Sequence, residues 1–305
     1  MSFFLTRNDN LLSTMYLQNK RISLDDFVEL AHRCGFSGIE VSHIITEAHV
    51  AGLSKQSRYV KSVHAPAPKR SHTGPRDAMR LISSTDEEER RWAVEQVKNS
   101  IRWAAGMGIP SICLHLGTVE GVAREEWVLE QRFLAGQRHT ARYQHQLESV
   151  KQLRRERAPA YFNAARHSLE VLVMEAEKHG VRIGLESRRY PFEIPNLEEM
   201  HILLQEYDAA TVGFWYDTGH CRVTANLGFD SEEAWLERVG DRIVGVHVHD
   251  VVGLRDHLLP GMGEIDFVAK APHIPATAII TWEVDWYFAE EELQFYRRGM
   301  DAINA

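Results

Sequence analysis

Six apolar runs in this chain each close on a side chain that can bind a metal or move a proton. SVH ends at His64, CLH at His115, IGLE at Glu186, FWYD at Asp217, VGVH at His247 and ITWE at Glu283. A further imidazole, His220, follows Asp217 by three residues in the stretch DTGH. Ionised groups are rarely buried without a partner, because taking them out of water is costly. Carboxylates and imidazoles gathered at one place therefore call for a compensating charge, which a divalent cation supplies. Such ligands, with no thiolate at these strand ends, suit one Mn²⁺, Mg²⁺, Co²⁺ or Zn²⁺ ion. Cys221, next to His220, reads as structural.

Each residue also has a plainer role. A histidine at a strand end can be a hydrogen-bonded packing residue. Glu186 can pair with Arg188 or Arg189, Glu283 can pair with Arg222 or Arg242, and Asp217 can cap the turn that follows it. The metal reading stands above these because Glu186, Asp217, His247 and Glu283 close four successive strands, the fifth to the eighth. In DTGH, Asp217 can reach the ion. The glycine permits a tight turn that brings His220 to face the same way, as a ligand or as a hold on a substrate hydroxyl.

Those strand ends need a scaffold that points them to one mouth. Short apolar runs alternate with amphipathic stretches along the whole chain. The strand candidates are LLSTM, GIEVS, YVKSVHAP, SICLHLG, VRIGLES, TVGFWYD, RIVGVHVHD and AIITWEVDW. Several are continuously apolar, as befits parallel strands covered on both faces. Helix starts are signalled at Ser23, at Ser84 with Glu87 three residues on, at Asn196 and at Ser231. Eight such units in 305 residues predict an α/β (β/α)₈ TIM barrel, a single domain over residues 1–305. The charged stretch 118–180 predicts a mostly helical insertion after strand 4, ending at Gly180. The segment between RIVGVHVHD and AIITWEVDW, rich in Gly and Asp, reads as a loop. An open doubly wound sheet is the rival, and it would want a Gly-rich phosphate loop after the first strand, where LSTMYLQNK has none.

Composition narrows the partners. A 44% apolar, 26% charged chain can bury a sizeable core. No apolar run approaches the ~20 residues that span a bilayer, and MSFFLTRNDN lacks the apolar region of a signal peptide. Three scattered cysteines point to a reducing cytoplasm rather than a disulfide framework. A net charge of −8 lacks the basic footprint of a nucleic-acid binder. A homo-oligomer is left open.

The set SVHAP, LHLG, GLES, YDTGH, VHVHD, LPGMGEIDF and TWEVD, in that order over about residues 11–300, resembles the xylose-isomerase-like TIM-barrel superfamily. That superfamily includes sugar isomerases and epimerases, inosose dehydratase and endonuclease IV. The resemblance implies a divalent metal held by Glu186, Asp217, His247 and Glu283. A His-x-x-Asp pattern picks His247 with Asp250, while strand alternation puts 247 and 249 on one face and keeps His249 as the alternative.

The resemblance further implies a metal-dependent sugar or sugar-phosphate isomerase or epimerase, working by proton transfer through an enediolate on a small sugar-like substrate. Glu186 and Glu283 then resemble the base and acid, with His220 beside them. His64, His115, Arg188, Arg222 and His257 are the expected substrate contacts. Arg188 and Arg189 suit a carboxylate or phosphate by their guanidinium geometry, and can equally be surface charges. A multi-metal phosphodiesterase like endonuclease IV is one alternative, weakened by the net charge and by Arg255, which stands where that branch has an Asp. A dehydratase or other lyase on the same scaffold is another, and a non-catalytic binding barrel a third.

Overall fold

The computed structural model describes residues 3–51, 53, 57–69 and 77–303. Eight strands close into a parallel barrel: β1 (Leu11–Ser13), β2 (Gly38–Val41), β3 (Val60–Ala65), β4 (Ser111–Leu114), β5 (Arg182–Glu186), β6 (Val212–Asp217), β7 (Ile243–Val248) and, last, β10 (Ile279–Trp282). Two further strands, β8 (Asp250–Val252) and β9 (Arg255–Leu258), form an antiparallel hairpin within the segment expected to be loop. Leu11 pairs with Thr281 of β10 on one side and Gly38 of β2 on the other, so the sheet has no free edge. That closure removes the open-sheet alternative.

The helices are α1 (Leu24–Arg33), α2 (Glu47–Ala51), α3 (Ala78–Leu81), α4 (Glu87–Gly106), α5 (Ala123–Leu134), α6 (Ala141–His179), α7 (Leu197–Glu206), α8 (Thr218–Leu227), α9 (Glu232–Val239), α10 (Phe267–Lys270) and α11 (Glu290–Ile303). Their starts follow capping chemistry. The Ser23 hydroxyl accepts the Asp26 N–H, and Asn196 with Glu199 forms a reciprocal capping box. At α4 the cap is Asp86, two residues beyond the expected Ser84. Its carboxylate accepts two first-turn N–H groups, and Ser84 instead braces the Asp86 N–H. A carboxylate adds favourable charge at the helix dipole's positive end, which a hydroxyl does not.

Continuous burial of β1, β2, β4, β6 and β7 matches their apolar runs. Inside the barrel Trp215 needs room. A Cβ on Gly245, its register partner on β7, would lie 2.4 Å from the indole, so only glycine fits there.

The insertion after β4 is α5 plus the first half of the 39-residue α6, which ends at Gly180 with φ +66°. It is packed down rather than free. Tyr143 Oη donates to Leu227 O at 2.9 Å. Buried Arg154 grips both Glu199 oxygens at 2.7 Å and donates to the carbonyls of Pro191 and Glu193. The insertion thus walls the loops that follow β5 and β6. Among the described residues, no helix is long and apolar enough to cross a membrane.

Candidate metal and catalytic centre

Barrel closure brings the four expected ligands together. One donor atom each from Glu186, Asp217, His247 and Glu283 lies within 4.8 Å of the others, and all four residues are buried. His247 Nδ1 faces the three carboxylates: Glu186 Oε1 at 2.5 Å, Glu283 Oε2 at 3.1 Å and Asp217 Oδ2 at 3.8 Å. Asp217 Oδ2 is buried without a hydrogen bond. Hard oxygen donors and one imidazole, converging on a carboxylate oxygen that nothing satisfies, fit a divalent cation.

DTGH is not a tight turn. Asp217 ends β6 and caps α8, its Oδ1 accepting the His220 N–H at 2.7 Å. Gly219 lies in the first turn of that helix, and its absent side chain makes room for a ring: a Cβ there would sit 2.1 Å from His249 Cε1. The plain capping reading of Asp217 holds for Oδ1, and Oδ2 is left free of that role.

Histidines form two groups around the carboxylates. His64 Nε2 and His115 Nε2 lie 2.7 Å apart, with Glu186 Oε2 at 2.6 Å from His115 and His64 Nδ1 at 3.6 Å from Glu283 Oε1. On the other side, His220, His249 and His257 bring one ring nitrogen each within 4.8 Å. His249 and His257 stack at 4.2 Å and 7°. His249 Nδ1 accepts the His257 N–H at 2.8 Å, so a neutral His249 carries its proton on Nε2, which lies 2.9 Å from Asp217 Oδ1 but off the hydrogen-bond line. His249 therefore stands behind Asp217, while His247 occupies the centre. Both are buried, His247 within β7 and His249 just beyond its end.

Asp250, the partner that the His-x-x-Asp pattern gave to His247, organises the loop. Its carboxylate accepts the N–H groups of Val251, Gly261, Gly263 and Ile265. His257 sits on the β8–β9 hairpin with φ +56° beside Asp256.

The arginines divide. Arg188 is buried and bonds Glu186 Oε2 through Nη1 and Glu193 Oε1 through Nη2 at 2.8 Å. It is thus an internal counter-charge to Glu186, not a surface group. Arg189 ties Asp256 at 2.8 Å to Glu130 of α5 at 3.1 Å. Arg222 is not brought to the cluster; it pairs with Glu232 and donates to Glu264 O. Arg255 turns outward onto Tyr287 Oη at 2.9 Å, so it places no cation among the three imidazoles.

Electrostatics follow from these contacts. Burial disfavours ionised Glu186, yet His115, Arg188 and His64 outweigh it and hold its pKa well below the carboxylate norm. Glu283 is depressed in the same way, burial being overcome by His247 and His64. Burial opposes a proton on His247 and His64, but the surrounding carboxylates raise both. Burial and then Arg188 lower His115. Asp256 outweighs burial at His257 and lifts it to about 9.

One central residue was absent from the sequence reading. Glu40 of β2 is fully buried, and its Oε1 lies 3.0 Å from His247 Nε2. Its only sequence signal is an acidic residue inside an otherwise apolar strand, GIEV.

Known proteins with this architecture give the geometry a context. An uncharacterized protein, y4fM, of Sinorhizobium fredii is 26% identical over 236 residues, covering 74% of this chain and 64% of that protein's length. The barrel is similar to that of a D-tagatose 3-epimerase-like protein (TM-score 0.64, 20% identity, 97% and 100% of the two chains). It is also similar to the IOLI protein with a binding zinc atom (TM-score 0.66, 14% identity, 97% of each chain). A third similar structure is 3-keto-D-glucoside 4-epimerase, YcjR, from E. coli (TM-score 0.63, 17% identity, 97% and 98%). These likenesses concern the fold. The sequence profile of one family matches residues 28–298, nearly the whole barrel, and the chain accordingly belongs to the xylose isomerase-like TIM barrel family.

Proposed function

We propose that this protein is a divalent-metal-dependent isomerase or epimerase of a small sugar-like α-hydroxy carbonyl compound. The observation that carries the proposal is the convergence of Glu186, Asp217, His247 and Glu283 within 4.8 Å around the unbonded Asp217 Oδ2. The sugar epimerases and the zinc-containing protein among the similar structures support it. The ion would be Mn²⁺, Mg²⁺, Co²⁺ or Zn²⁺, held by those four side chains. When bound, it supplies Lewis-acid polarisation of the substrate carbonyl, which acidifies the neighbouring C–H.

The chain's own groups do the rest. Glu186 is kept ionised, as a base must be, and takes the substrate proton on its carboxylate. Glu283 acts from the far side of His247 as the second acid–base group. His64 Nδ1, 3.6 Å from Glu283 Oε1, is placed to exchange a proton with it. His220, fixed by its contact with Ser187 O at 3.0 Å, and His257 of the hairpin face the same space and would bind substrate oxygens. Three unpaired, buried thiols suit a reducing cytoplasm.

The test is exchange of solvent deuterium into a panel of ketoses, ketose phosphates and keto acids by the metal-loaded protein. Exchange into at least one compound, lost by about 10²-fold or more in Glu186→Gln, is the expected outcome. Absence of exchange across the panel, or full exchange by the variant, would overturn the reading.

A second reading has its own support. His64, His115 and Glu186 on one side, and His220, His249 and His257 on the other, could extend the centre to several ions and a phosphodiester substrate. Elemental analysis decides between them. One ion per chain fits the isomerase, and three ions with cleavage of an abasic-site duplex fit the phosphodiesterase.

A further inference from the structure

Glu40 lies in β2, across the barrel from β7, with β1 and β10 between them on the shorter way round the wall. Its two oxygens do different things. Oε1 lies 3.0 Å from His247 Nε2. Oε2 accepts the hydroxyl of Ser62 on β3 at 2.6 Å and lies 3.4 Å from the hydroxyl of Thr281 on β10. The carboxylate is thus held from the adjacent β3 and from β10, two strands away, and is fully buried, so its direction is fixed.

An imidazole has two nitrogens, and a ligand must offer a lone pair on the one facing the ion. In a neutral ring that requires the proton on the other nitrogen. His247 Nδ1 faces Glu186, Asp217 and Glu283, whereas Nε2 faces Glu40. An acceptor with no proton of its own at Nε2 keeps the N–H there and leaves Nδ1 free. Among the described residues, no other carboxylate lies within ion-pair distance of Nε2.

Resting on the metal-site reading above, we infer that Glu40 is a positioning residue: it sets the tautomer and orientation of His247 and so the affinity of the centre for its ion. It touches neither substrate nor ion. Glu40→Ala removes the acceptor. Glu40→Gln keeps an oxygen that can accept the same N–H while its amide nitrogen meets the two hydroxyls, so it preserves geometry but loses the charge.

The experiment measures Zn²⁺ and Mn²⁺ affinity by chelator competition for the wild-type chain and both variants, with thermal melts of the metal-free proteins alongside. The expected result is a loss of affinity of about 10- to 100-fold in Glu40→Ala, with the Gln variant between Ala and wild type. Wild-type affinity in both variants would overturn the inference while leaving the metal site standing. A wild-type chain that binds neither ion would instead overturn the metal-site reading itself. Should Glu40→Ala not fold, long-range ¹H–¹⁵N spectra of the zinc-loaded wild type and Gln variant decide. The inference requires the His247 proton on Nε2 in both, and a proton on Nδ1 overturns it.

Discussion

Asp217 caps the helix that carries His220 with one oxygen and faces His247 with the other. Oδ1 accepts the His220 N–H at 2.7 Å, and Oδ2 lies 3.8 Å from His247 Nδ1 with no hydrogen bond. The two roles separate by substitution. Asp217→Asn keeps an oxygen for the cap but loses the charge. Its metal-free melting temperature should stay close to that of wild type, while the rise produced by added Mn²⁺ disappears. Asp217→Ala should lose the metal effect and, in addition, about 1 kcal/mol of cap stability. Thermal melts with and without Mn²⁺ distinguish the two variants, and an undiminished Mn²⁺ effect in Asp217→Asn counts against the ligand role.

Arg188 sits beside the proposed base, with its other guanidinium nitrogen on Glu193 at 2.8 Å. Burial raises the Glu186 pKa, and His115, Arg188 and His64 together depress it. Removing the Arg188 cation therefore moves it upward. In Arg188→Gln the acidic limb of the pH–kcat/KM profile should shift to higher pH, with the alkaline limb little changed. A profile that merely scales down without shifting would show that Arg188 supports structure alone.

How much of this was legible in the sequence depends on what each residue needed to be recognised. Strand ends were legible because a polar side chain closing a continuous apolar run stands out, and a barrel points all such ends to one mouth. Asp217 and His247 came from that pattern. Glu40 did not, because an acidic residue within a four-residue strand reads as an outward-facing position, and only closure brings β2 round to face β7. The glycine in DTGH was legible as necessary but for another reason, since the ring it accommodates belongs to His249, thirty residues on. Arg222 and Arg188 show the same limit. Proximity in sequence to the strand ends fixed neither side chain's direction, and partners on α9 and the β5–α7 loop did.

Gly219 tests that reassignment. A methyl group there would lie 2.1 Å from His249 Cε1 and 2.3 Å from Nδ1. The ring has little freedom to move, because Nδ1 accepts the His257 N–H at 2.8 Å and the ring stacks on His257 at 4.2 Å. Gly219→Ala should therefore cost stability by about 1–3 kcal/mol, as other overpacked interiors do, and disturb the hairpin histidine. Helix propensity alone would make the same change stabilising, by up to about 1 kcal/mol in an α-helix. The sign of the change in denaturant midpoint decides between the two effects.

The last expectation concerns the insertion. Glu126 on α5 is buried, with Oε2 accepting the Phe192 N–H at 3.2 Å and Oε1 left without a partner. Burial pushes its pKa up from 4.5 to about 9, a shift only partly offset by that hydrogen bond. The folded state thus holds a proton that the unfolded chain releases near pH 4.5. With more protons bound in the native state, stability is whole below about pH 4.5 and declines as pH rises toward about 9. Glu126→Gln keeps the acceptor for Phe192 and removes the titration. Its advantage over wild type should grow between pH 5 and pH 8, by at most about 1.4 kcal/mol per pH unit. Urea midpoints at those two pH values measure it. A constant difference between the proteins would mean that Glu126 is ionised in the folded chain, and that the wall beside β5 accommodates its charge.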